Sequence, residues 1–312
     1  MTARARSKNR LLLGWLALFS LCLLLRNAAL AAEGVRVGLR LCADRVIPSL
    51  FPFTVLAELL LRSGVAERLP ERLTRPLGRL LALPPAGVLA VVLGLLCGFP
   101  VGVRCAVTAY ERGAMTKAEA ERALAASSIP SAAFITGMVA PHVGQKKGIA
   151  LLLLLPTSAL LGGILLKSTA KKRKGELPSP IQAVPQRHSR GAALLPESIA
   201  ASLGAMLSIS AYVVFFSVLC EALSAILARV GCPAWGQALL FCTLELSGGV
   251  ASAVALPSPA SALLTGAALG WSGLSVHAQV LSITSAHDLN LRPYLAVKAL
   301  QTVLCALAMS VG

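Results

Sequence analysis

Residues 94–102 read GLLCGFPVG and interrupt an apolar run that otherwise has the character of a membrane helix. Gly98, Pro100 and Gly102 crowd this stretch; proline removes a backbone donor, and glycine adopts backbone angles that other residues resist. In lipid, a freed backbone group needs another partner, so a broken helix survives where it is buried in protein or lines a cavity. Transporters build solute sites at such breaks. The stretch therefore indicates either a solute site or a kinked helix held by its neighbours.

The composition is that of a membrane protein. The chain is 56% hydrophobic and only 13% charged, whereas soluble domains are about 25% charged. Its net charge of +16 comes from basic residues that lie mostly at the ends of apolar runs, which suits the positive-inside rule and anionic lipid. We predict an all-α polytopic protein of about eight to ten helical segments, multi-pass in the cell membrane. The lipid bilayer is its expected partner, and nucleic acid is not.

No pattern of a metal centre or an enzyme is present in the sequence. The eight cysteines form no C-x-x-C pair, and most lie in apolar runs, so we expect buried thiols. The four histidines show no H-E-x-x-H spacing, and there is no P-loop. We therefore predict no catalytic residue, no metal and no cofactor.

Changes in polarity divide the chain into four parts. Residues 1–34 form an N-terminal transmembrane anchor, 35–167 a first half, 168–195 a basic linker and 196–312 a second half. The basic and then apolar start also fits a signal peptide, but we expect an uncleaved span because membrane protein follows it. The linker has six lysines and arginines against one acid, and Lys167 directly before it is a seventh, which places it and the N-terminus in the cytoplasm.

Several polar segments are expected at the membrane surface. Residues 33–47 and 62–80 mix charged and apolar residues as interfacial amphipathic helices do. In 111–125, Thr116 and Glu119 are spaced as the capping box of a surface helix. Lys298, in the final span, is expected to extend to the membrane surface.

Three further interruptions carry polar residues. Residues 127–141 place serines around Pro130, LELSGG at 244–249 places an acid beside a serine and two glycines, and 272–279 reads SGLSVHAQ. Four ionisable residues near these interruptions each have two interpretations. Glu245 is functional, or it is a protonated or snorkelling acid. His277 either switches charge near neutral pH or is a neutral hydrogen-bonding group. Arg104 either reaches an anionic group at the break or extends to the surface, and Glu58 is solvated or functional.

The two halves share an order of elements, namely an opening span, an interrupted helix, a second interruption and a closing span. Laying 97–101 on 272–276 matches Gly and Val at an offset of 175. An odd number of crossings per half would make the related halves inverted repeats, as in many secondary transporters.

Several segments resemble the YlbJ-type sporulation integral membrane proteins, which are built on the nucleoside-recognition (Gate) domain. They are PSLFPFTVLAELL (48–60), GLLCGFPVGVR (94–104), the serine-rich segment before Pro130, LELSGG (244–249) and SGLSVHAQV (272–280). The resemblance covers nearly the whole chain. It implies two Gate-like halves in the cytoplasmic membrane of spore-forming bacteria, and a role in forming the spore envelope or cortex.

Two functions remain open. The first is transporter-like: the protein binds or moves a small polar solute such as a nucleoside, with a coupling cation or proton, where the interruptions meet. Glu245 would bind a cation, a proton or a solute donor, and Arg104 and His277 would neutralise an anionic group. The candidate residues are Gly98, Pro100, Arg104, Ser128, Ser131, Glu245, Ser247, Gly248, Ser272, Gly273, Ser275, His277 and Gln279. The second function is a non-transporting scaffold for spore-envelope proteins; a homo-oligomer fits either.

Overall fold

The computed structural model describes residues 3–65, 70–170 and 193–310, so most of the predicted linker at 168–195 lies outside the described residues. Within them, all regular structure is helical, as the composition predicts. The helices of the first half are α1 Ala3–Arg26, α2 Ala28–Leu41, α3 Ile47–Arg62, α4 Glu71–Leu81, α5 Pro85–Cys97, α6 Phe99–Glu111, α7 Lys117–Ser127, α8 at 132–143 with a π-helical turn at its centre, and α9 Gln145–Ala170. Those of the second half are α10 Leu194–Arg229, α11 Ala234–Leu244, α12 Leu246–Val254, α13 Ala260–Trp271, α14 Gly273–Thr284 and α15 Arg292–Ser310.

Several helices are long and apolar enough to cross a membrane. In the described residues there are four, namely Lys117–Val143, Gln145–Lys167, Leu194–Arg229 and Arg292–Ser310. The number rises to six if two bent pairs each form one span; these pairs join α1 to α2–α3 at 104° and α4 to α5 at 86°. The fold is therefore that of a polytopic membrane protein.

Each half has a long helix, two broken helices and a closing span. The first half has α2–α3, then α5 and α6 separated at Gly98, α7 and α8 separated at 128–131, and α9. The second half has α10, then α11 and α12 separated at Glu245, α13 and α14 separated at Ser272, and α15. This order pairs Gly98 with Glu245, not with Gly273 as the offset of 175 suggests. Both glycines have positive φ, 93° and 78°, so a shared backbone requirement explains their match.

Residues 33–47 do not form a separate interfacial helix, contrary to the expectation. A π-helical turn at Cys42–Val46 joins α2 to α3, and α2 packs along α10. Gly34 and Gly38 lie against α10, where an added Cβ would come within 2.6 and 2.7 Å of backbone Cα atoms. Small residues four positions apart let membrane helices approach closely. Contact with α10 therefore determines where this segment lies.

The helix α7 is buried, although its sequence suggested a surface helix. The predicted capping box is confirmed: Glu119 Oε2 accepts from Thr116 N–H at 2.7 Å, and Thr116 Oγ1 accepts from Glu119 N–H at 3.3 Å. All residues from 120 to 127 are nevertheless buried, because α5, α6, α9 and α15 pack around this helix. Its short alanine-rich surface permits that close packing.

Polar contacts connect helix ends and loops at the end of the bundle where α9 leads into the linker. We call this end the linker side. Lys117 Nζ lies 2.7 Å from Asp288 Oδ2, and this hydrogen bond holds the pKa of Asp288 below its ordinary value. The other contacts are Lys167 with Arg79 O, Arg122 with Ala82 O, Glu121 with Asn290 N–H, and Glu111 with His287.

Alanine at Gly38 should force α2 away from α10. We expect G38A to lose about 1–3 kcal/mol of stability, the usual cost of an overpacked core, measured as a lower unfolding temperature in detergent. The matched control is G204A in α10, where an added Cβ meets nothing within 4 Å. Because alanine favours a helix over glycine, G204A should unfold no earlier than wild type. Equal unfolding temperatures for G38A and G204A would contradict the close contact.

Candidate functional site

Three of the four interruptions, at Gly98, Ser131 and Glu245, line one cavity of about 30 Å³, and the helix that begins at the fourth completes its wall. We call it the closed cavity because nearly all of its lining residues are buried. Its wall comes from the start of α6, the start of α8, the start of α12 and the middle of α14, and α3 and α10 complete it. About 30 Å³ is the space of one or two water molecules. The candidate residues on the wall are Gly98, Pro100, Ser131, Glu245, Ser247, Ser275 and Gln279.

The two breaks of the first half are bonded to each other. Gly98 ends α5 with φ 93°, and the next residue, Phe99, donates its N–H to Ile129 O at 2.8 Å. Ser131 caps α8, because its Oγ accepts from Phe134 N–H at 3.1 Å. Backbone groups freed by the interruptions therefore have partners inside the protein, as a membrane interior requires.

Glu245 is a buried cap at the start of α12. Its side chain accepts from Gly248 N–H at 2.6 Å, and the residue is only 2% exposed. A helix N-terminus presents free N–H groups and a partial positive charge, which stabilise a carboxylate. Ser131 caps α8 on the same cavity with a hydroxyl, so capping alone does not require an acid. Among the described residues of the cavity wall, Glu245 is the one ionisable side chain.

Two polar side chains of α14 reach the cavity with an atom that has no protein partner. Ser275 Oγ and Gln279 Oε1 are buried, and neither has a hydrogen bond within the described residues. Four positions apart, the two residues lie on the same face of the helix. A buried polar group without a partner costs about 1–3 kcal/mol, and such groups are rare in native interiors. These atoms are where a polar solute or water would gain a hydrogen bond.

Arg104 lies outside the closed cavity in a network of ion pairs. Its guanidinium is 3.3 Å from Glu58 Oε1, and Glu58 Oε2 is 3.4 Å from Arg62. Arg62 is also 3.1 Å from Glu197. The Glu58 side chain is only 17% exposed, so it is a paired acid that links α3 to α6 and, through Arg62, to α10. The positive charge of Arg104 is therefore compensated by an acid of the protein, Glu58.

The remaining candidate residues surround the breaks without lining the cavity. Ser128 Oγ donates to Leu124 O at 2.6 Å and so turns back on its own helix. Gly248 supplies the N–H that Glu245 accepts. An added Cβ at Gly273 would come within 2.9 Å of Leu246 N, so the second break of this half lies directly against the first.

Two residues of α15 hold this second break: Lys298, which the sequence placed at the membrane surface, and Tyr294, which the sequence did not single out. Lys298 is 1% exposed and donates to Ser272 Oγ at 2.8 Å, so it does not extend to the surface as expected. Tyr294 Oη is 2.6 Å from His277 Nδ1. They are four positions apart on one face of α15. One signal for this contact was present in the sequence. Lys298 lies six residues into the final span, where a charged amine needs an acceptor, and the serine at the break, Ser272, is one.

Lys298 and Ser272 should be energetically coupled. We expect K298M and S272A to be non-additive by about 0.5–3 kcal/mol, as residues in direct contact usually are. The measurement is a double-variant cycle on unfolding temperature and denaturant midpoint in detergent. K298M combined with S202A, on the distant α10, serves as the additive control. Simple additivity of K298M and S272A would contradict the contact.

Comparison with known proteins gives one informative relative. No family model matches the chain, and no solved structure matches it. Among curated proteins, it is 26% identical over 336 aligned residues to the sporulation integral membrane protein YlbJ of Bacillus subtilis (strain 168), covering 96% of this chain and 81% of the relative. The chain is a homologue of that protein over nearly its whole length, which confirms the resemblance seen in the motifs. The Gate domain stays a prediction.

Proposed function

We propose that this homologue of a sporulation integral membrane protein acts in the membrane during sporulation and binds a small polar solute in the closed cavity. The observation that carries the proposal is the convergence of Glu245, Ser275 and Gln279 on one cavity. A kinked helix held by its neighbours accounts for a single break. It does not account for three breaks, from both halves, that converge on one cavity with a buried acid and two unpartnered polar atoms. Ionisable residues inside membranes usually mark solute or ion pathways.

The wall favours a cation or a hydrogen-bond donor over an anion. An ionised Glu245 only accepts hydrogen bonds, and Ser131, Ser247, Ser275 and Gln279 add further oxygen atoms. No basic side chain lines the cavity in the described part of the chain, so an anionic solute would have no counter-charge there.

The size of the cavity separates two kinds of occupant. A proton or a small cation fits about 30 Å³ as it stands. A nucleoside does not, because small-molecule sites usually need about 300 Å³ or more. A solute of that size would require the broken helices to separate, as they do in transporters that alternate access around a fixed site. The described conformation then corresponds to an occluded state.

The helix α4 favours a second candidate function, a membrane scaffold. Arg72, Arg75 and Arg79 are exposed on this short helix, together with Leu73. A basic amphipathic helix binds anionic lipid headgroups or an acidic partner protein. In that function, the basic residues would be essential and Glu245 would be replaceable.

Sporulation of a deletion strain can distinguish the two functions. The strain would be complemented with wild type, E245S, E245D or R72Q/R75Q/R79Q, and heat-resistant spores would be counted. E245S keeps a capping oxygen but loses the acid, whereas the matched control E245D keeps both. We expect E245S to reach the membrane, as checked by blot, and to lower the spore count, because loss of the acid should weaken solute binding about tenfold or more, which corresponds to about 1.4 kcal/mol.

The other outcomes have definite meanings. Normal sporulation with E245S, together with failure of the R72Q/R75Q/R79Q variant, would replace the solute site by the scaffold. Failure of E245D as well as E245S would show that the length of the acid is essential, and uptake assays on purified vesicles would follow. A deletion strain that sporulates normally would contradict the sporulation assignment.

A further inference from the structure

A second, open chamber of about 300 Å³ lies between α6, α10 and α14. Its α6 wall is formed by residues three or four positions apart, so it is one face of that helix. The wall residues used below are Pro100, Arg104, Thr108, Glu111, Ser208, Ile209 and Gln279.

The chamber and the closed cavity share part of their walls. Pro100, Ile209 and Gln279 line both spaces. Gln279 is 4% exposed, and its Oε1 has no protein partner. These three side chains therefore form the inner wall that separates the two spaces.

The outer end of the chamber lies on the linker side. Glu111 ends α6 and pairs with His287 at 2.9 Å, in the loop that precedes α15. Arg104 lies seven residues deeper, about 10 Å along the helix axis. The chamber therefore extends from the linker-side surface toward Gln279.

Half of the ten residues that line the chamber are polar or charged, and this half favours water over lipid inside it. The side chains of Arg104 and Glu111 are 37% and 45% exposed, and Ser208 is exposed as well. Charged side chains within membrane helices face water-filled cavities or the bundle interior, because hydrocarbon does not solvate them. A volume of about 300 Å³ is at the lower limit of small-molecule sites. A polar solute too large for the closed cavity fits here.

We propose that this chamber is the water-filled entrance through which a small polar solute approaches the closed cavity from the linker side, and that Gln279, with Pro100 and Ile209, is the barrier at its inner end. The identity of the solute that passes the barrier rests on the proposed function. The contrast between an open chamber and a closed cavity is independent of that function. The amide of Gln279 can offer a donor and an acceptor to a solute on either side.

Cysteine accessibility tests the entrance without any solute. The background is C22S/C232S, because the other six cysteines are buried. T108C and S208C report on the chamber, and S275C reports on the closed cavity. The control is L207C, because Leu207 lies next to Ser208 on α10 and its apolar side chain is 72% exposed. S285C marks the linker side, because Ser285 is exposed in the loop after α14. The probe is a positively charged, membrane-impermeant methanethiosulfonate applied to inverted and right-side-out vesicles.

We expect T108C and S208C to react from the same side as S285C, about tenfold or more faster than L207C, because a thiol in lipid does not ionise. S275C should stay unreactive. Adding Q279A should make S275C reactive from the linker side, while L207C stays unreactive, which separates an opened barrier from general unfolding.

Two results would overturn the proposal. If T108C and S208C react no faster than L207C, the chamber is not aqueous. If S275C reacts as fast as T108C while Gln279 is present, or stays unreactive in Q279A, then Gln279 is not the barrier. Neither result depends on spore counts, so the entrance and the solute site can fail separately.

Discussion

A break in a membrane helix frees backbone N–H and C=O groups that lipid cannot satisfy, and this constraint determines how the molecule is arranged. The first two breaks meet it by bonding to each other, Phe99 N–H to Ile129 O. At the starts of α8 and α12, the free backbone N–H groups are instead capped by the side chains of Ser131 and Glu245. Because each break needs polar partners, the breaks are drawn to one place. The cavity is the space at which their backbones and caps converge.

The two halves meet the same constraint with different chemistry. The first half uses backbone bonds and a serine cap, whereas the second uses Glu245 on the cavity and Lys298 behind the break at Ser272. Gly273 packs against the backbone at Glu245 and Leu246, so the acid and the amine lie on opposite sides of one contact. At the breaks themselves, the ionisable partners Glu245 and Lys298 thus both belong to the second half, and a movement of α13 relative to α14 would affect both.

The sequence predicts the breaks well and the packing of polar segments poorly. Glycine, proline and serine act locally on the backbone, so their positions near Gly98, Pro130 and Ser272 are sufficient to locate interruptions. The segment 33–47 and α7 are different, because an amphipathic pattern does not distinguish a water interface from a neighbouring helix. Lys298 shows the same limit: whether a long side chain turns outward or inward depends on an acceptor supplied by another helix. From the sequence, a meeting of the breaks was only a hypothesis, because the tertiary contacts that bring them together appear in no local pattern.

The two spaces are mechanically connected because the same helices form both. Pro100 lies two residues after the break at Gly98, and farther along α6 the residues from Arg104 to Glu111 line the chamber. On α14, Ser275 faces the cavity and Gln279 lines both spaces. A tilt of either helix about its own break would therefore change the barrier and the cavity together. The closed cavity and the open chamber are lined by the same two helices, each of which begins at a break, so the proposed solute site and the proposed entrance depend on the same contacts.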